Sequence, residues 1–215
     1  MQFTSINRRM ECQPVKLGMS KTSSLIKRWI DIIFSILGIL VLFPVFLIIF
    51  LALWLQGKGS AIYKQERVGL NGKPFNILKF RTMRENAESD GPQLEMANDP
   101  RLTKVGKFLR THHLDELPQL WNVLVGEMSI VGYRPERAYF IEQIMQKDAR
   151  YKYLYQMRPG LTSEATLYNG YTNSLEKMLE RLNMDLRYLE FGTISTDFKI
   201  MFSTVKLIFI GGKTL

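Results

Sequence analysis

Between Ile32 and Leu55 the chain runs for 24 residues without a charge, and Ile, Leu, Phe and Val dominate the run. As a straight helix it would reach about 36 Å at 1.5 Å per residue, enough to cross the hydrocarbon of a bilayer. The fold must give this segment either lipid or a large protein interior, and a chain of 215 residues supplies one ordinary domain plus an appendage. A cleavable signal core is usually about 7–15 residues long. This run is longer and follows a polar tail, residues 1–22, so it is expected to remain in the mature protein.

The flanks do not choose a side. Residues 1–28 carry six basic residues and Glu11, and residues 58–81 carry six and Glu66, so the positive-inside rule gives no orientation. Pro44 sits near the middle of the run, where loss of the bond to the Leu40 carbonyl costs about 3 kcal/mol in an ordinary helix and predicts a bend. Two topologies satisfy these facts: a re-entrant helix that breaks at Pro44 and leaves on the face it entered, or a kinked single-pass helix. Lys27 and Arg28 at the mouth of the segment read as snorkelling anchors for anionic headgroups, or as the holders of a lipid phosphate.

Cys12 has no partner, which excludes a disulfide scaffold, and with His112 and His113 it is too little for a four-ligand zinc site. The formal charge of +9 suits an anionic membrane or an anionic substrate. No aromatic-basic platform or helix-turn-helix pattern accompanies it, so a nucleic-acid partner is not expected.

Beyond Leu55, the β-prone runs Ala61–Val68 and Pro74–Phe80 flank Asn71-Gly72, a strong hairpin signal. Residues 84–100 are polar and rich in turn formers, and read as a mobile surface loop able to close over a substrate. Asn173 with Glu176 resembles a capping box ahead of the stripe Leu175, Met178, Leu179, Leu182, Leu186 and Leu189, a core-facing helix. Phe198, Met201, Phe202, Val205 and Phe209 also recur at helical spacing, and that face either packs internally or lies in the membrane interface.

The segment richest in chemistry is Leu114 to Val123. Asp115 to Pro118 is expected to open a helix, with Asp115 as its cap. Beside that plain role stands a second: a carboxylate kept ionised where free N–H groups attract a phosphate is placed as a nucleophile at phosphorus. Glu116 points about 100° away and suits a divalent cation. Lys79, Arg81, Arg101, Arg110 and Arg134 accumulate around this point, and guanidinium forks pair with phosphate oxygens.

Seven ordered motifs then carry a resemblance. Lys27–Asp31, Gln65–Gly69, Lys79–Met83, Asn98–Thr103, Leu114–Val123, Gly126–Pro135 and Arg158–Thr162 together resemble the bacterial sugar transferases, the monotopic phosphoglycosyl transferases, over roughly residues 25–210. The resemblance implies transfer of a sugar 1-phosphate from a UDP-sugar to polyprenyl (undecaprenyl) phosphate, with release of UMP, as the first membrane step of surface glycan synthesis. It implies Asp115 as the nucleophile of a covalent phosphosugar intermediate and Glu116 as the residue positioning Mg²⁺. It aligns Arg110 and Arg134 with phosphate-facing arginines and Lys79 and Asp197 with active-site residues; Lys79 and Arg81 join the expected phosphate ligands from their place in the basic cluster. It also favours the re-entrant topology and a location on the cytoplasmic face of the bacterial inner membrane; a homo-oligomer stays open.

The expected architecture is then α+β and mainly helical: a polar tail over 1–22, a re-entrant membrane helix over 23–56 broken at Pro44, and a catalytic domain over 57–215 with a small β-hairpin and interfacial amphipathic helices. A different class, a basic membrane-anchored adaptor without enzymatic activity, would bind liposomes and release no UMP. The chain departs from the usual pattern at Tyr133, where Pro is common; at Ser163 and Glu164, where Gly and an aromatic are common; and at Phe43, where Ser often precedes the kink proline.

Overall fold

A computed structural model describes residues 17–57, 59–84, 99–169 and 174–210, with positions 87, 91 and 93 between them. The apolar run lies within one 35-residue helix, α1 (Lys21–Leu55), capped by Ser20, whose side chain accepts from the Ser23 N–H at 3.1 Å. The expected break at Pro44 does not interrupt it: Pro44 lies inside the continuous helix. Proline's fixed φ of about −65° lies in the helical range, so Pro44 sits in the helix although it has no N–H to donate to the Leu40 carbonyl.

The side of α1 that meets the rest of the protein is narrow. Arg28, Asp31, Ser35, Gly38, Phe46, Ile49 and Leu53 fall within about 80° of arc at 100° per residue. Asp31 accepts from the Ile130 N–H at 2.9 Å and from Ser129 Oγ at 3.1 Å. A Cβ at Gly38 would meet the Leu120 side chain at 3.1 Å, and Ile49 and Leu53 pack with Ala61, Phe80 and Leu109. The other faces are apolar and open, with Leu40 67%, Val41 73% and Ile48 67% exposed. Burial is thus inverted relative to a soluble amphipathic helix: Asp31 and Ser35 are buried while most of the aliphatic residues face outward.

The hairpin forms as expected, with β1 (Ile62–Val68) antiparallel to β2 (Pro74–Phe80) and Val68 opposite Pro74. Asn71 takes a left-handed φ of 57°, which asparagine tolerates. Residues 84–100 lie largely outside the described residues, so the expected loop is not tested there; Asp99 at its end is buried and paired with Arg101 at 2.5 Å.

Helix α2 (Lys104–Thr111), capped by Thr103, leads to a 3₁₀ turn at Leu114–Glu116 and then α3 (Gln119–Val125). Asp115 is therefore not the cap of an α-helix. It sits inside the 3₁₀ turn, and the residue at the α3 cap is Pro118. After α3 comes a short parallel pair, β3 (Ser129–Val131) beside β4 (Gly160–Thr162). It is held close by glycines: a Cβ on Gly160 would lie 2.1 Å from the Gly132 nitrogen.

Helix α4 (Ala138–Lys147), the 3₁₀ segment Ala149–Gln156, α5 (Glu164–Tyr168) and α6 (Leu175–Phe191) complete the domain with α7 (Ile194–Ile210). Met178, Leu182, Leu186 and Leu189 of the expected stripe are buried against Phe140, Ile141, Ile144, Tyr151 and Leu154, and Leu175 and Leu179 pack at the edge of that core. The cap of α6 is Ser174, accepting from the Lys177 N–H at 3.2 Å; Asn173 lies outside the described residues. On α7, Phe198, Phe202 and Val205 are exposed. Phe198 meets Phe34 of α1 edge-on at 6.4 Å, so the exposed part of α7 extends the apolar surface of α1. The side chain of Phe209 is outside the described set.

Of the polar tail, residues 1–16 lie outside the described residues. Gly18 is docked onto the end of α6, donating its N–H to the Leu189 carbonyl at 2.9 Å.

Candidate active site

The 3₁₀ turn follows His113, which holds a left-handed φ of 54°, a conformation that costs a non-glycine residue energy and recurs at functional sites. Asp115 is buried to 5% exposure. Glu116 is the centre of a charge cluster: its Oε1 accepts from Lys79 Nζ at 2.7 Å and from Arg134 at 2.8 Å, and a second Arg134 nitrogen lies 3.5 Å from Oε2. Burial pushes the Glu116 carboxyl up, but the charges of Arg134 and Lys79 overcome it and hold the group well below the usual carboxylate range.

Each partner arrives by a different route. Lys79 comes from β2, directly opposite Tyr63 in the hairpin. Arg134 comes from the loop after β3, and that loop is fastened to β1. Arg67 donates to the Pro135 carbonyl at 3.0 Å and to Glu136 Oε2 at 2.9 Å, and the Val68 N–H donates to the Glu136 carbonyl at 3.1 Å. Glu136 also accepts from Arg181 on α6. Burial raises the Glu136 carboxyl, yet Arg181 and Arg67 bring it down to about 2. Tyr133 stands where proline is usual in the pattern; it is fully buried in the core and donates its hydroxyl to the Val68 carbonyl at 3.4 Å. The departure thus adds a strut to the loop, and Arg134 still reaches Glu116. Ser163, another departure, caps α5 by accepting from the Thr166 N–H at 2.9 Å.

Of the expected phosphate ligands, the contacts above bring together Lys79 and Arg134. Arg81 reaches back to the end of α1, donating to the Leu53 carbonyl at 3.2 Å and the Gly57 carbonyl at 3.5 Å. Arg110 donates from Nε to Thr82 Oγ1 at 3.1 Å. Lys27 and Arg28, expected to face headgroups, turn inward instead. Lys27 pairs with Asp197 at 2.6 Å, and Arg28 donates to the Val123 and Leu124 carbonyls at 2.7 and 2.8 Å, closing the C-terminal end of α3. Asp197, expected as an active-site residue, also accepts from the Tyr188 hydroxyl and so ties α1 to the start of α7. Lys27, Arg28, Asp31, Arg158 and Tyr188 line a cavity between α1 and α6, and none of Lys79, Asp115, Glu116 or Arg134 is on its wall.

Sequence reasoning missed Glu136 and Arg181, which act only through residues distant in the chain, and it used Arg67 as motif without a role. It also missed Asn122, whose side chain accepts from the Leu78 N–H at 3.0 Å and donates to the Asn76 carbonyl at 2.8 Å and to Glu127 at 2.7 Å, locking α3 onto β2. The adjacency of Pro135 and Glu136 to Arg134 was the one available signal for the first of these.

Among the described residues no group of three His, Cys, Asp or Glu side chains is placed to hold a metal. Magnesium typically takes only one or two carboxylates together with waters and substrate phosphates. Adjacent carboxylates at 115 and 116 supply the hard oxygens such an ion requires, so the donor set fits.

The comparisons with known proteins identify the family. The family model described as bacterial sugar transferase matches residues 22–211. The UDP-glucose:undecaprenyl-phosphate glucose-1-phosphate transferase of Escherichia coli (strain K12) is 41% identical over 189 residues, 87% of this chain and 41% of the relative. The protein of the same name from Caulobacter vibrioides is 40% identical over 183 residues, 83% of this chain and 68% of its own length. A UDP-N-acetylgalactosamine-undecaprenyl-phosphate N-acetylgalactosaminephosphotransferase of Aeromonas hydrophila is 34% identical over 186 residues, 86% of this chain and 44% of the relative. The chain spans about two fifths of the length of the Escherichia coli and Aeromonas relatives. With the family model covering nearly all of its described residues, the chain belongs to the bacterial sugar transferase family.

Proposed function

We propose that this chain transfers a sugar 1-phosphate from a UDP-sugar to polyprenyl phosphate and releases UMP. The observation that carries the reading is the buried Asp115 next to Glu116, with Lys79 and Arg134 closing on Glu116 from two separate elements. Four charges converging on one turn suit a pyrophosphate, whose oxygens would share the two cations with Glu116.

In the first step an Asp115 carboxylate oxygen bonds to the β-phosphorus, the bond from that phosphorus to the bridging oxygen breaks, and the electron pair leaves with UMP. In the second, a phosphate oxygen of the lipid attacks the same phosphorus and the Asp115 carboxylate departs. One phosphoanhydride replaces another, so little net driving force is required. Lys79 and Arg134 hold phosphate oxygens and steady the charge that gathers on the leaving group. Glu116 would hold Mg²⁺ together with substrate oxygens, and the ion would supply further neutralisation of the pyrophosphate.

The membrane disposition follows from α1. A helix contacted along its length by a single domain, and apolar everywhere else, suits monotopic embedding in one leaflet better than a crossing. Lying along one leaflet, the unbroken α1 keeps both of its ends on the cytoplasmic face of the inner membrane, where nucleotide sugars are found, with the apolar part of α7 beside it. The relatives are named for different sugars.

The test is Asp115→Asn assayed with a panel of UDP-sugars, Mg²⁺ and polyprenyl phosphate. UMP release should be abolished, and a mass shift equal to a phosphosugar should be trapped on wild-type Asp115 when the lipid is withheld. Full turnover by the variant would remove Asp115 as the nucleophile. Liposome binding by wild type with no UMP from any donor would leave the adaptor reading in its place.

A further inference from the structure

The helical path through the site does not stop at the 3₁₀ turn. Leu117 (φ −53°, ψ −37°) and Pro118 (φ −61°, ψ −17°) are both right-handed, so the turn runs into α3 without a break. Asp115, Gln119 and Asn122 therefore stand at i, i+4 and i+7, on one side of the run. All three are buried, with exposures of 5%, 1% and 1%.

The two amides differ in how they are satisfied. Asn122 has both its oxygen and its nitrogen hydrogen-bonded, to the β2 backbone and Glu127. Gln119 Nε2 is buried with no hydrogen-bond partner among the described residues. An orphaned buried donor costs about 1–3 kcal/mol, and native proteins rarely carry one. Gln119 lies one helical turn beyond Asp115 and one before Asn122, whose amide is bonded to β2, the strand that delivers Lys79.

We propose that the Gln119 carboxamide is a catalytic hydrogen-bond donor to the phosphoryl group attached to Asp115, an inference that rests on the transfer reaction above. When the Asp115 oxygen bonds to phosphorus and the bond to UMP breaks, negative charge shifts among the non-bridging oxygens. A donor with no competing partner is free to meet it there. Gln119 transfers no proton; it stays neutral and orients the phosphoryl group for both attacks.

The experiment compares wild type with Gln119→Met, which keeps length and apolar volume but has no donor, using the full chain in detergent with an active UDP-sugar and polyprenyl phosphate. The kcat for UMP release should fall about 10²-fold, the scale of a lost oxyanion donor, with KM for the UDP-sugar little changed and Tm equal to wild type or higher. Gln119→Glu, similar in shape but presenting a carboxylate to phosphate, should lose at least as much. An unchanged kcat, or a change confined to KM, overturns the proposal. A lower Tm with parallel loss of activity also overturns it and assigns Gln119 to packing. If wild type itself releases no UMP from any UDP-sugar, the transfer reading fails and takes this inference with it, a result distinct from any behaviour of the two variants.

Discussion

Glu116 illustrates how a single side chain can hold a site in tension. Its carboxylate separates two cations that would otherwise face each other across a half-buried space. Glu116→Gln should therefore destabilise the fold by up to about 3 kcal/mol, the cost of stripping one partner from a buried ion pair. If the cluster holds pyrophosphate, added UDP-sugar should recover part of that loss in a thermal unfolding experiment, whereas wild type should gain less. Asp185 behaves in the opposite sense. Burial pushes its carboxyl up to about 7, against the pull of Arg181. The folded protein thus binds more protons than the unfolded chain from about pH 4 upward, and stability is lost as pH rises toward about 7. Asp185→Asn should flatten that decline, so its gain in Tm over wild type should be larger at pH 8 than at pH 5. Glu136, brought down to about 2, has the reverse sign: its contribution is present above the ordinary range and disappears as pH falls toward about 2.

Among the elements, the parallel pair β3–β4 does the most with the least. Three residues on each side align Ser129 with Gly160 and Val131 with Thr162, and the pair launches the loop that carries Arg134. Its backbones approach too closely for a side chain at either glycine, since a Cβ on Gly132 would lie 2.5 Å from the Arg158 carbonyl oxygen. Gly160→Ala should cost about 1–3 kcal/mol through overpacking, read as a lower Tm, and should reduce activity by moving Arg134 even in the protein that remains folded. The hairpin, by contrast, was legible beforehand, because Asn-Gly between two β-prone runs specifies its turn locally. The parallel pair was not: its partners are about thirty residues apart, and no local turn chemistry announces a long-range pairing. The cap at Asp115 was misread for a related reason. Asp with Pro three residues later is good capping chemistry, but the segment follows a left-handed His113 as a 3₁₀ turn, and its Glu116 meets Lys79 and Arg134 from distant parts of the chain.

At the scale of the whole molecule, one narrow stripe of α1 belongs to the protein and the remaining surface does not. The open aliphatic and aromatic residues of α1, extended by Phe198, Phe202 and Val205, form a continuous apolar surface beside a basic domain. Arginine at the open positions Val41 and Ile48 together should weaken membrane retention in a flotation assay while leaving the α1 stripe packed; unaltered flotation would show that these positions do not meet lipid. The apolar segment, the hairpin, the α6 stripe and the Asp115–Glu116 pair were all readable from sequence, because each is written in residues close together in the chain, where period, turn chemistry and charge act locally. Which cations reach Glu116, that Lys27 and Arg28 turn inward, that Tyr133 braces its loop and that Gln119 Nε2 finds no partner among the described residues were decided only by the tertiary structure. Those outcomes depend on which distant groups compete for the same buried charge or hydrogen bond, and that competition is settled only once the elements have packed.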